Sequence, residues 1–192
     1  MTMEPHHNAT LAARICRFWR AVHWYVSDNR GSATIEVAFT TLFMAYAVMN
    51  TADISIYAYT RMQVQNAAQM GAQAAFAECD SKHVPATTQC AGLSAAITRG
   101  IQSTSLGALV TQPNGSPAEG YYCINASNVL QYMSAYSSKP ADCSGAGMAS
   151  LQPGLYIKVD TTYTYAPVFP GGATVGSLLN TTVTGSALIR LK

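Results

Sequence analysis

The chain has 192 residues, 49% of them apolar and only 10% charged, against roughly 25% charged in an ordinary soluble domain, which argues against a typical cytosolic enzyme. Its length suits one domain with a sizeable core plus an appendage and excludes a multidomain machine. Eleven Lys and Arg against nine Asp and Glu leave a net charge of +2, too little for a protein that holds nucleic acid through many phosphate contacts, so nucleic acid is not an expected partner.

Basic charge is concentrated at the front, where Arg14, Arg17, Arg20 and Arg30 stand against Glu4 and Asp28. Ile15, Phe18, Trp19, Val22, Tyr25 and Val26 recur among them at helical spacing, the pattern of a short basic helix lying on a membrane; an unstructured leader fits the same residues. Residues 32–52, SATIEVAFTTLFMAYAVMNTA, then hold a single charge, Glu36, over about 31 Å of helix, enough for one bilayer span. Thr40, Thr41, Asn50 and Thr51 dilute the apolar run, although threonines can return their hydroxyls to the helix backbone. The arginines ahead of the span put residues 1–31 in the cytoplasm and 53–192 outside. Trp19, Trp24 and Tyr25 on one side, and Tyr57 and Tyr59 on the other, stand where interfacial aromatics would.

Glu36 is the most informative residue, because a carboxylate near the bilayer centre costs about 2.5 to 3.5 kcal/mol. One reading lets it reach headgroup water. The other begins with Gly31: cleavage after it would leave an α-amino group on Ser32, cationic near neutral pH. Glu36 of a neighbouring copy would neutralise that amine as helices bundle, relieving both desolvation penalties and fixing axial register.

Residues 53–78 contain no Pro and are rich in Ala, Gln and Met, so the span is expected to continue outward as one helix to about residue 78. Ala67, Gly71, Ala74 and Ala75 cluster small side chains that would admit a close neighbour. Cys16 falls on the cytoplasmic side, which leaves Cys79, Cys90, Cys123 and Cys143 as an even set in an oxidising compartment. Of three pairings, Cys79 with Cys90 and Cys123 with Cys143 are favoured, each closing a loop that holds a turn-forming proline, Pro85 or Pro140. No CxxC spacing occurs and His83 is the only outer histidine, so no metal site is expected.

A second helix is predicted from Ala91 to about Gln102, with Leu93, Ala96, Ile97 and Ile101 on one face. TQPNGSPAEG is a loop, and residues 103–150 read as an irregular, disulfide-braced region. LYIKVDTTYTY alternates Leu155, Ile157, Val159, Thr161, Tyr163 and Tyr165 against more polar residues, a half-buried strand, and TTVTGSALIRL is a second strand. APVFPGGATVGS supplies the break between them. The expected fold class is therefore α+β, a long N-terminal helix packed on a small antiparallel sheet. Seven of the eleven tyrosines follow residue 120, and half of them are expected in the sheet core. Glu78, Asp80, Glu119, Asp142 and Asp160 carry no acid–base spacing, and no phosphate or dinucleotide fingerprint occurs, so neither an enzyme nor a cofactor is expected.

The run RGSATIEVAF resembles the processing site of type IV pilins and pseudopilins, in which a prepilin peptidase cuts after Gly and a Glu stands five residues beyond the cut; Gly31, Ser32 and Glu36 match. Together with the arginine-rich leader, MQVQNAAQMGAQAAF and YIKVDTTYTYAPVFP, it is most similar to the TadE-like minor pilins of the tight-adherence (Flp-type) pilus. Ser32 stands where most type IV pilins have Phe, Val37 where the major Flp pilin has Tyr, and the chain is far longer than that pilin, so a minor subunit is implied. The resemblance implies an inner-membrane precursor cut after Gly31 that initiates, primes or caps pilus assembly. Its partners would be the prepilin peptidase, other pilin subunits, an assembly platform driven by a separate cytoplasmic ATPase, and the bilayer. The competing expectations are a signal-anchored periplasmic scaffold that never polymerises and a secreted protein cut at the AxA site of Ala45 and Ala47.

Overall fold

The computed structural model describes residues 30–79, 83–169, 178–179 and 181–191. The chain divides into two compact units, Met1–Met49 and Asn50–Lys192. Residues 1–29, on which the expected basic helix, Cys16 and the interfacial tryptophans fall, lie outside the described residues.

Helix α1 runs from Arg30 to Glu78, 49 residues without a proline, or about 74 Å. Helix α2 is a single turn, Ala86–Gln89, and α3 spans Leu93–Gln102. The face of α3 that carries Leu93, Ala96, Ile97 and Ile101 is buried, as the helical spacing requires. Among the described residues four strands form one sheet: β1 (Ala118–Ile124), β2 (Leu130–Ala135), β3 (Gly154–Thr164) and β4 (Thr182–Arg190). The order is β2-β1-β3-β4, every neighbour antiparallel. The molecule is thus α+β, with the Asn50–Glu78 stretch of a long apolar helix packed on a small antiparallel sheet and two disulfides bracing it.

Strand β3 explains the packing. Leu155, Ile157, Val159 and Thr161 are buried, while Tyr156, Lys158, Asp160 and Thr162 are half-buried on the other face, the period of two that the sequence shows. The buried set meets Ala67, Ala72 and Ala75 of α1 and Ile97 and Ile101 of α3. Small residues are needed here because backbone approaches backbone. A Cβ on Gly185 of β4 would lie 2.6 Å from the Val64 carbonyl oxygen, and one on Gly100 of α3 would lie 2.7 Å from that of Met70. Thr161 uses the closeness, donating its hydroxyl to the Val64 carbonyl at 3.1 Å. Each fully buried isoleucine contributes about 1.5 to 3 kcal/mol to this core.

The region 103–150 departs from expectation, since it supplies both β1 and β2. The β1–β2 register shifts between Tyr121 and Tyr122 because Met133 of β2 is skipped, while along AEGYYCI the alternation of burial ends where Tyr122 and the disulfide-bonded Cys123 are both buried. Strand β2 is an edge whose six residues are all exposed or half-buried, so it shows no apolar face. The opposite edge, β4, is covered at one point: the Gln65 side-chain amide donates to the Ser186 carbonyl at 2.7 Å and accepts from its N–H at 3.2 Å. A single side chain there stands in for a neighbouring strand.

Candidate assembly site

Residues 33–49 form a helix with no polar face. Val37, Phe39, Leu42, Phe43, Met44 and Val48 are 57 to 71% exposed, and at 100° per residue they are spread around the helix, with Ala38, Ala45 and Thr41 in the widest gap between them. A helix apolar all round belongs in a membrane or inside a bundle. Among the described residues this is the one helix long and apolar enough to cross a bilayer. The threonines that weaken the run are neutralised internally: Thr40 donates its hydroxyl to the Glu36 carbonyl at 2.8 Å, and Thr41 does so to Val37 at 2.7 Å. Neither needs an outside partner.

Glu36 is exposed on this surface and is its only charge. It lies in the second turn of α1, with Gly31 and Ser32 in the first; the side-chain surroundings of residues 30–32 are outside the described set. Among the described residues nothing bonds to the Glu36 carboxylate. A lone carboxylate on an apolar helix requires a cation or water once that helix is covered.

A second acidic residue on α1 behaves in the opposite way. Asp53, at the start of the Asn50–Lys192 unit, is fully buried. Its Oδ1 accepts the Val168 N–H at 3.0 Å, and its backbone carbonyl accepts the Tyr165 hydroxyl at 3.2 Å. Tyr165 in turn meets Tyr57 edge-on, ring centroids 5.1 Å apart. Burial, then the Asp53 charge, then Tyr163 and Tyr57, push the Tyr165 phenol above its ordinary value. Oδ2 of Asp53 has no hydrogen-bond partner among the described residues. The group ties the segment after β3 to α1. Tyr57, which the sequence places with interfacial aromatics, is instead half-buried against Tyr165, while Tyr59 is 53% exposed. The signal for Asp53 was its position, an isolated acid closing an apolar run.

The cysteines pair locally, Cys79 with Cys90 and Cys123 with Cys143, at Cα separations of 5.9 and 5.6 Å. Three of the five outer carboxylates hold local structure, while Asp80 lies outside the described residues. Glu119 accepts from the backbone and hydroxyl of Thr87 at 3.2 and 3.3 Å. Asp160 pairs with Lys158 at 2.9 Å. Asp142 accepts the Ser144 N–H at 2.9 Å, and side-chain and backbone bonds from Ser144 hold its carboxyl below the ordinary value.

Comparison with known proteins bears on the helix. The family model described as TadE-like protein matches residues 31–73, from Gly31 through Glu36 to the close-packed Gly71. No curated protein and no solved structure matches the chain. Over residues 31–73 the chain is similar to the TadE-like family, the one its RGSATIEVAF run resembles.

Proposed function

We propose that this chain is a minor pilin-like subunit of a tight-adherence pilus, structural in role and not catalytic. It is made as a precursor in the bacterial inner membrane, with residues 1–31 cytoplasmic, residues 32–52 spanning the bilayer and residues 53–192 forming a periplasmic head. A prepilin peptidase cuts after Gly31, where the missing side chain leaves the bond unobstructed. The new Ser32 amine then meets Glu36 of a neighbouring subunit, which brings the helix into a bundle with other pilins on the assembly platform. In that position the subunit initiates, primes or caps the fibre.

The observation that carries this reading is the lone Glu36 on a helix surface that is otherwise apolar on all sides. Moving such a surface from lipid into a bundle of like helices gains little by hydrophobicity alone, so register must come from specific contacts. An amine–carboxylate pair supplies one. The TadE-like match across residues 31–73 supports the same assignment.

The test expresses Glu36→Ala and Glu36→Gln in cells that have the complete pilus apparatus. Both variants should still lose residues 1–31, yet be missing from pili sheared off the cells. Normal incorporation of either variant overturns the pairing. A wild-type protein that retains its leader and never leaves the membrane makes this a non-polymerised scaffold of the same apparatus.

A further inference from the structure

At one end of the sheet, where β3 begins and β4 ends, a cavity of about 280 Å³ is lined by Tyr121, Tyr136, Lys139, Pro153, Leu155 and Arg190 among others. Its place in the head follows from three contacts. Tyr165 bonds to Asp53, Thr161 to Val64, and Gly71 packs on Val159, so β3 runs antiparallel to α1. The start of β3 therefore lies beside the C-terminal end of α1, and Tyr136 donates its hydroxyl to the carbonyl of Val84, beyond that end, at 3.3 Å. The cavity is at the pole of the head opposite Asn50.

Its chemistry is specific. The Tyr121 and Tyr136 rings are nearly parallel, 11° apart with centroids at 6.3 Å, giving an aromatic wall over a floor of buried Pro153 and Leu155. Lys139 and Arg190 are both exposed, and among the described lining residues none is acidic. Glu119 lies near enough for its charge to reach Tyr121, but Thr87 engages it and it does not line the cavity. The volume falls just below the roughly 300 to 1,000 Å³ that holds drug-sized molecules, which suits a single ring. A guanidinium matches the fork of a carboxylate, and aromatic walls with a few placed polar groups are the usual make-up of a ligand site.

We propose that this cavity binds a carboxylate-bearing sugar, such as a uronic acid unit of an acidic polysaccharide, with the ring against Tyr121 and Tyr136 and the carboxylate on Arg190 and Lys139. The site does not depend on pilus assembly, so the full chain in detergent micelles can be tested by calorimetry. The probe is a tetrasaccharide of alternating glucuronate and N-acetylglucosamine, with its carboxyl-reduced counterpart as control. The acidic probe should bind saturably and more weakly as salt rises. Carboxyl reduction, or the double variant K139Q/R190Q, should weaken binding at least tenfold, and K139Q alone, which leaves Arg190 in place, should weaken it in part without moving the melting temperature. Tyr136→Phe keeps the ring and should bind, whereas Tyr136→Leu should not. Absence of saturable binding overturns the proposal, as does equal affinity for the reduced sugar or for K139Q/R190Q. Displacement by an equal concentration of inorganic phosphate also overturns it, in favour of a plain anion site.

Discussion

The two halves of α1 share one continuous backbone and obey different rules. Along residues 33–49 the large side chains point outward, with Phe39 and Phe43 at 71 and 70% exposure. Along residues 50–78 the buried face is made of Val64, Ala67, Ala68, Ala72 and Ala75, none above 3%. The second half finds its partner within the chain, in β3, β4 and α3, and small residues let the backbones close. The first half is built of Phe, Leu, Met and Val, the side chains suited to lipid or to other helices, and its partner must come from outside. The two acids sharpen the contrast: Asp53 is buried within the Asn50–Lys192 unit, while Glu36 is exposed on an apolar helix.

Glu36→Ala breaks the contrast most strongly. It should nearly abolish incorporation into pili while leaving the melting temperature of the purified chain unchanged; a comparable loss of thermal stability would place Glu36 in the fold and not in assembly. In the head the largest change comes from removing the Cys123–Cys143 bridge, which closes a sequence separation of 20 residues. Replacing both cysteines with Ser should cost about 3 kcal/mol by chain entropy, read from denaturant unfolding. An unaltered midpoint would mean that the bridge constrains nothing. Gly185→Ala comes next, since its Cβ would meet the fixed Val64 carbonyl. Overpacking of this kind costs about 1 to 3 kcal/mol, and a variant as stable as the parent would show that β4 can move off α1.

Asp53 allows a finer test. Asp53→Ala loses the bond to Val168 and should cost about 1 kcal/mol. Asp53→Asn keeps an accepting oxygen and should stay close to the parent. Equal losses in the two variants would show that charge, and not the hydrogen bond, matters there. The smallest effect is alkaline. Burial raises the phenols of Tyr121, Tyr122 and Tyr165 above the unfolded value of about 10. Their contribution is therefore complete below about pH 10 and lost as pH rises through the folded values. Urea midpoints should fall across that range, less steeply in Tyr165→Phe.

Much of this was legible because the signals were long or periodic. A proline-free apolar run announced α1, the spacing of Leu93, Ala96, Ile97 and Ile101 announced α3, and alternation from Leu155 to Tyr165 announced β3. Strands β1 and β2 were hidden for physical reasons, since Tyr122 and the disulfide-bonded Cys123 are buried in succession and break the alternation of β1, and an edge strand such as LQYMSA, which skips Met133 in its pairing, buries too little to show a face. The Asp53, Tyr57 and Tyr165 group was hidden because Tyr165 lies more than a hundred residues beyond Asp53 and Tyr57 in sequence and meets them only when β3 lies against α1. Gly31, Ser32 and Glu36 stand together in the sequence as a motif because the cleavage and pairing proposed for them would act on the chain locally, outside the folded head.

The most direct test of the central claim is the N-terminal sequence of the protein recovered from membranes of cells that contain its own prepilin peptidase. A start at Ser32 is the predicted result and puts the amine where Glu36 of a neighbour can meet it. A retained Met1, or a start after Ala47, would contradict the account.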